Sequence, residues 1–434
     1  MRYGTVVVSF ALAAMLVPRL SAASSIPEKP LAPPVIRISV DGVQLDAVIT
    51  DKRGRHVTDL RADELEIFQD GERQQISQLT YVTYGGGAAP SSGEPAAAAG
   101  QDKPAASAAP TAAEPRSVLI VVDDLSFGAH SYDRTIRSLR HTVERLDPKD
   151  RLEIVTTSTG LVQTGDTRVL TLTLTTDRKA NLATINSMRR TPWTRAETMN
   201  IWSVQRAFFG RQQGLRYEGS AFDNVDDWMA LRSIEVVKSA VKALRDVPGR
   251  KALLLVSEGL SNLKGLTLPQ VQSIYWPLDR LYGDTSDLFG ALKRLAELAA
   301  RSSVVIHAVD PRGLVTAGLT VEDSIGDIHD VRAYANAVSA RHLSLYSSQS
   351  TLQYLADETG GITRLDSNDM AGDFDSIMRD LSGYYLIGYT PRSGTFDSSS
   401  FHKFDLKVKR PGLKVRTREG FYPVTDEQVA TALR

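Results

Sequence analysis

The stretch that decides the fold is VLIVVDDLSFG, Val118 to Gly128. Val118 to Val122 are apolar without a break, so a strand formed here buries both faces, as strands of a helix-covered parallel sheet do. The run then stops on two carboxylates and a serine. In open parallel sheets, ligands bind outside the carboxyl ends of the strands. Asp123, Asp124 and Ser126 therefore read either as an oxygen-rich site or as cap residues that close the strand and open the next helix.

The sequence downstream repeats this alternation of strand and helix. SYDRTIRSLRHTVERLDPKD places Ile136, Leu139, Val143 and Leu146 on one helical face, and Pro148 closes the helix. RLEIVTTS is a second strand, and LVQTGDTRVLTLTL reads as a hairpin. KALLLVSEG, the helical DLFGALKRLAELAARS and the strand SVVIHAVDPRG follow. Apolar strands separated by helices predict a doubly wound, mainly parallel α/β sheet. The run LLLVS ends at Glu258 and Gly259, and its carboxyl end meets that of the Val118 strand if the two are neighbours.

The flanks follow a different period. Ile36, Ile38 and Val40 alternate with polar residues, as do Val43, Leu45 and Ala47. Asp41-Gly42, Lys52-Arg53-Gly54-Arg55 and Asp70-Gly71 are turn signals, the last a strong hairpin cue. Near the end of the chain, Phe404, Leu406 and Val408 alternate, and so do Leu413 and Val415. Isolated hairpins are marginal, so these N- and C-terminal strands are expected to complete one small β-sandwich. Gly85 to Pro115 contains no aromatic or large aliphatic residue and reads as a linker rich in Ala, Pro and Gly. The expected boundaries are a sandwich over 35–84, the linker over 85–115, the α/β domain over 116–381, and returning sandwich strands over 382–424.

The chain has 434 residues, 51 basic and 51 acidic, and lacks cysteine. That balance gives no net field for nucleic acid, and the missing thiols exclude cysteine nucleophiles and cysteine-bound zinc. MRYGTVVVSFALAAMLVPRLSAASS has an early arginine, a short apolar run ended by Pro18, and small residues at Ser21-Ala22-Ala23. This is the layout of a cleaved export signal over 1–23. A soluble periplasmic or extracellular protein, with no membrane span after cleavage, is expected.

Catalytic signatures are weak: H-E-x-x-H, G-x-S-x-G, G-x-G-x-x-G and Walker loops do not occur. S-x-x-K occurs at Ser239, Ser261 and Ser400 without the S-D-N and K-T-G partners of serine acyl-enzymes. Trp193, Trp202, Phe208, Phe209 and Tyr217 lie among arginines in one polar tract, and Tyr275, Trp276 and Tyr282 lie in a second. Aromatics with arginine characterise protein interfaces.

D-x-S after the first strand and S-E-G after a later one resemble a von Willebrand factor type A domain. VITDKRGRHVTDLRADELEIFQDGERQQI, DVPGRKALLLVSEGL, LADETGGITRL and YYLIGYTP are together similar to the VWFA-related family named from acidobacterial proteins. The resemblance spans nearly all of the chain beyond the signal except the linker. It implies a metal-ion-dependent adhesion site, in which D-x-S-x-S, a distant threonine and a later aspartate hold a divalent ion that a partner's carboxylate completes. Carried over, Asp124 matches the aspartate and Ser126 the first serine. Gly128 stands in place of the second serine, and Glu258 in place of the later aspartate. Ser220 fits the threonine's place, with Thr194 and Thr198 as rivals. The implied cofactor is Mg²⁺, at a site degenerate in one ligand. The expected function is non-catalytic binding of an unidentified protein or surface polymer. A structural or assembly scaffold with a metal-free type A domain, and a hydrolase with an unrecognised site, are the alternatives.

Overall fold

Asp123 is reached along β5 (Ser117–Val122), an interior strand of the molecule's parallel sheet, in which all six residues are buried. The computed structural model describes residues 42–84, 115–159, 162–164, 167–190, 223–245, 247, 251–260, 286–315, 330–391, 395 and 401–421. The expected signal, the strand at Ile36–Val40, nearly all of the linker, Ser220, Thr194, Thr198 and both aromatic tracts lie outside the described residues.

After β5 come α1 (Ala129–Arg145), β6 (Arg151–Thr156), the small antiparallel pair β7 (Val162–Thr164) and β8 (Thr167–Val169), and α2 (Arg178–Ser187). Then follow α3 (Asp223–Arg245), β9 (Lys251–Val256), α4 (Ser286–Arg301), β10 (Val304–Val309), α5 (Val331–Thr359), β11 (Thr363–Arg364) and α6 (Met370–Asp380). The parallel sheet has the order β11-β10-β9-β5-β6. Period-2 geometry divides its side chains between two cores. Leu119 and Val121 pack with Leu253, Leu255 and residues of α3, α4 and α5. Val118, Ile120 and Val122 pack with Leu139 and Val143 of α1, Ile185 of α2, and Phe374 and Ile377 of α6. The expected doubly wound α/β sheet is the observed one. Each fully buried Leu or Val contributes roughly 1.5–3 kcal/mol relative to exposure.

The order reverses beside β5. The chain leaves β5 for β6 on one side and later returns to β9 on the other, which makes the β5–β9 junction a topological switch point. Ligand crevices open at such junctions, and Asp123 and Ser257 stand at its two lips.

Two antiparallel sheets make the sandwich. One has the order β14-β1-β12-β4 and the other β15-β13-β2-β3. The N-terminal part supplies β1 (Val43–Thr50), β2 (Leu65–Gln69), β3 (Glu72–Gln74) and β4 (Ile76–Thr83). The C-terminal part supplies β12 (Gly383–Tyr389), β13 (His402–Val408), β14 (Lys414–Thr417) and β15 (Gly420–Phe421). Val43, Leu45, Ala47 and Ile49 meet Ile67, Tyr385, Ile387 and Phe404 in the core between the sheets. The β2–β3 turn puts Asp70 at φ 52° and Gly71 at φ 84°. This is the left-handed conformation that a two-residue Asp-Gly hairpin demands.

Chain continuity from α6 into β12 docks the sandwich on the α/β layer. His56 Nε2 lies 3.1 Å from the Arg379 carbonyl, and Arg416 pairs with the buried Asp380. Gly360, at φ 76°, lies so close to β14 that a Cβ there would be 2.9 Å from the Arg418 nitrogen.

Candidate functional site

Four loops converge at the carboxyl edge of the parallel sheet, after β5, β6, β9 and β10. The strand ladders run one step beyond their ends to hold them. Asp123 N donates to the Val256 carbonyl at 2.8 Å, Thr157 N to Val122 at 2.9 Å, and Ser257 N to Val309 at 3.1 Å.

Asp123 is completely buried and is the hub of this edge. Its Oδ1 accepts from Thr157 Oγ1 at 2.9 Å and from Ser233 Oγ of α3 at 2.5 Å. Its Oδ2 accepts from Ser257 Oγ at 2.6 Å. One carboxylate thus ties together β5, the loop after β6, the loop after β9, and α3.

Asp124, also buried, turns toward the loop after β6. Its Oδ1 accepts from Ser158 N at 2.9 Å and Thr157 Oγ1 at 3.1 Å, and its Oδ2 accepts from Ser158 Oγ. The hydroxyl of Ser126 points back, donating to the Asp123 carbonyl at 2.8 Å and accepting from Glu258 N at 3.1 Å. Glu258 reaches across the junction, so that Oε1 accepts from Gly128 N at 2.8 Å. Some of the residue's surface remains accessible, yet the carboxyl group lies deep among its neighbours. That burial raises its pKa, against lowering by the charge of Arg312 and by the Ser131 hydroxyl and the Gly128 amide.

Asp310 closes the edge after β10. It forms a two-pronged pair with Arg312, Nε to Oδ1 at 2.9 Å and Nη2 to Oδ2 at 2.7 Å. Arg312 Nη2 also donates to Ser348 Oγ of α5 at 2.9 Å. The Asp310-Pro311-Arg312-Gly313 turn is therefore wired into the edge, and it continues the row of groups begun by Asp123.

Of the sequence-derived site residues, Asp124, Ser126 and Glu258 share this edge, and Ser220 lies outside the described residues. Their donors are hard oxygens, which suit Mg²⁺ in kind. In arrangement they do not fit it. Both oxygens of Asp124 serve the loop after β6, the Ser126 hydroxyl is engaged as donor and acceptor, and Gly128 has no side-chain oxygen, its N–H going to Glu258 and its carbonyl accepting from Tyr132 N. Among the described residues, no group of three or more His, Asp or Glu side chains is placed to hold a metal ion.

Sequence reasoning placed Asp123 in the candidate oxygen-rich site with Asp124 and Ser126 but gave it no ligand role, and it missed Thr157, Ser158, Ser233 and Ser257. Hydroxyls on three separate elements form no motif. The parity of Asp123 along β5 is the signal that identifies its face.

No protein-family model matches the sequence, and no curated protein does. Similar solved structures include the human COPII-coat protein Sec24c, at a TM-score of 0.31 and 10% identity, covering 73% of this chain and 44% of that one. They also include a von Willebrand factor type A protein from Catenulispora acidiphila, at a TM-score of 0.26 and 11% identity, covering 74% of this chain and 69% of that one. The chain thus spans less than half the length of Sec24c. Neither likeness bears on the chemistry of the edge.

Proposed function

We propose that this chain is an exported, non-catalytic binding module that holds another protein or a surface polymer at the carboxyl edge of its parallel sheet. The observation that supports this is where the chain's insertions are attached. Segment 191–222 feeds α3, segment 261–285 follows Leu260, and segment 316–329 joins Val315 to α5. The described residues Leu260 and Val315 follow β9 and β10 at this edge.

The two helices overshoot it. Ser233 of α3 meets Asp123 at the sheet's end, so the ten preceding residues run on for about 15 Å at 1.5 Å per residue. Thr359 of α5 bonds Ile306 at 3.0 Å near the start of β10, while Ser348 already meets Arg312. The helix upstream of Ser348 therefore extends roughly 25 Å past the edge. Val331, Tyr334 and Tyr346 stand exposed on it. Loops and helix ends raised above a rigid sheet are where recognition residues concentrate.

The test is affinity capture from a cell-envelope extract, with the full chain as bait. Trp202→Ala and Trp276→Ala, one in each aromatic tract, are expected to lose partners that the wild type retains. Lys414→Ala, on the distant sandwich, is expected to keep them. Retention of the same partners by both tryptophan variants refutes the reading, as does turnover of an ester, peptide or glycoside substrate that depends on an edge residue.

A further inference from the structure

We infer that this edge works without a divalent ion, because Gly128 and Glu258 close it from within as a matched pair. The inference takes its location from the binding edge proposed above and deepens it by naming what the edge does not need.

The first observation is that nothing in the backbone demands glycine at position 128. Its φ of −72° and ψ of 166° are open to any residue. A Cβ built there meets nothing nearer than Glu258 Oε1, at 3.7 Å. A serine would fit, and its hydroxyl would lie beside that carboxylate. Glycine therefore removes an oxygen from a position that has room for one.

The second observation concerns where Glu258 goes. A glutamate is one methylene longer than an aspartate, and here the extra reach brings Oε1 to the Gly128 amide at 2.8 Å. The charge that most strongly favours its ionised form is that of Arg312, itself clamped by Asp310. The Gly128 amide thus holds a carboxylate that a cation would otherwise engage, although burial still raises its pKa overall.

The third observation is that the remaining oxygens are committed. The Ser126 hydroxyl is held between the Asp123 carbonyl at 2.8 Å and Glu258 N at 3.1 Å. Asp124 is held by Ser158 and Thr157. Mg²⁺ requires near-octahedral oxygen coordination and sheds its water reluctantly. To enter, it has to break protein bonds on three loops at once.

Calorimetric titration of the full chain with MnCl₂ and with MgCl₂ tests this. The wild type is expected to show no saturable binding tighter than about 1 mM, the weak end of extracellular divalent sites. The double variant Gly128→Ser with Glu258→Asp restores a hydroxyl and withdraws the carboxylate from the amide. It is expected to bind Mn²⁺ at least tenfold more tightly than the wild type, and to lose that binding with Asp124→Ala. Saturable wild-type binding below 1 mM that Asp124→Ala abolishes overturns the inference. A folded double variant that gains no Mn²⁺ affinity overturns the role given to the pair.

If the double variant does not fold, Gly128→Ser alone decides the matter by Mn²⁺-induced relaxation of water protons. Enhancement above wild type supports the pairing, and none refutes it. Partner capture enters none of these readouts, so failure of the binding function and failure of ion independence are separately visible.

Discussion

Replacing Asp123 with asparagine is the most direct test of how the edge is held. The substitution keeps shape and volume and removes one acceptor. Asp123 accepts three hydroxyls on two oxygens, from Thr157, Ser233 and Ser257. The amide keeps one oxygen, enough for Thr157 and Ser233. Its NH₂ then faces Ser257 Oγ, which already accepts from Gly259 N at 2.9 Å. Ser257 loses the acceptor for its own proton, and the nearest described alternative is Ser126 Oγ at 3.4 Å. A hydrogen bond to a charged group is worth about 1.5–3 kcal/mol, and a buried unsatisfied group costs about 1–3 kcal/mol. Asp123→Asn is therefore expected to destabilise by about 2–4 kcal/mol. At roughly 2–4 °C per kcal/mol for a domain of this size, Tm falls by about 4–16 °C. Asp123→Ala also opens a cavity and removes the acceptor of Ser233 and Ser257, leaving Thr157 only Asp124 Oδ1 at 3.1 Å, and is expected to cost more. Thermal unfolding followed by circular dichroism measures this, with the exposed Asp133→Asn as control. A Tm for Asp123→Asn within about 2 °C of the control refutes the claim that this carboxylate joins β5, β6, β9 and α3.

The sandwich seam has its own pH signature. Burial and the nearby Glu419 raise the pKa of Asp357, and burial, Glu419 and Asp357 raise that of Glu358, against lowering by Lys293 and Lys403. Raised carboxyls bind protons more tightly folded than unfolded, so their contribution is full below the ordinary carboxyl range and is lost as pH rises through the folded values. Glu419→Gln is thus expected to raise stability at pH 7–8 by less than about 1 kcal/mol for these partly exposed groups, seen as a higher Tm, with the gain disappearing near pH 4. An equal gain at both pH values rules out like-charge repulsion as the cause. Gly259 sits at φ 90°, and a Cβ there falls 2.1 Å from the Ser348 carbonyl. Gly259→Ala is expected to cost about 3 kcal/mol or more, through positive φ and displacement of α5, and a urea midpoint equal to wild type would contradict that.

The architecture is legible in the sequence wherever a single residue pattern has one physical solution. Six buried residues in β5 leave no solvated face, and helices are what covers a parallel sheet. Asp70-Gly71 between alternating strands specifies a two-residue hairpin, and both residues take the left-handed conformation it requires. The edge is legible by position, since Asp124, Ser126 and Glu258 follow strands that prove to be neighbours. Their mutual geometry is not. Ser158 competes for Asp124 from a loop that carries no motif, and the reach of Glu258 to Gly128 depends on one methylene and one missing side chain.

The two adjacent carboxylates divide their tasks by strand parity. Side chains alternate along β5, so Asp123 continues the face of Leu119 and Val121, the face that α3 covers. A carboxylate extending that row is carried beneath α3, where the chain provides Ser233. Asp124 continues the face of Val118, Ile120 and Val122 and turns to the loop after β6. A D-x-S pattern read as a string gives Asp124 the central role, because the spacing to Ser126 is all that the string preserves. Read as a strand, the same residues place Asp123 beneath α3 and turn Asp124, also buried, toward the loop after β6. Structural constraint therefore concentrates on the first carboxylate. Substitution at Asp123 acts through the stability of the whole edge, whereas substitution at Asp124 first releases Ser158 and the loop after β6.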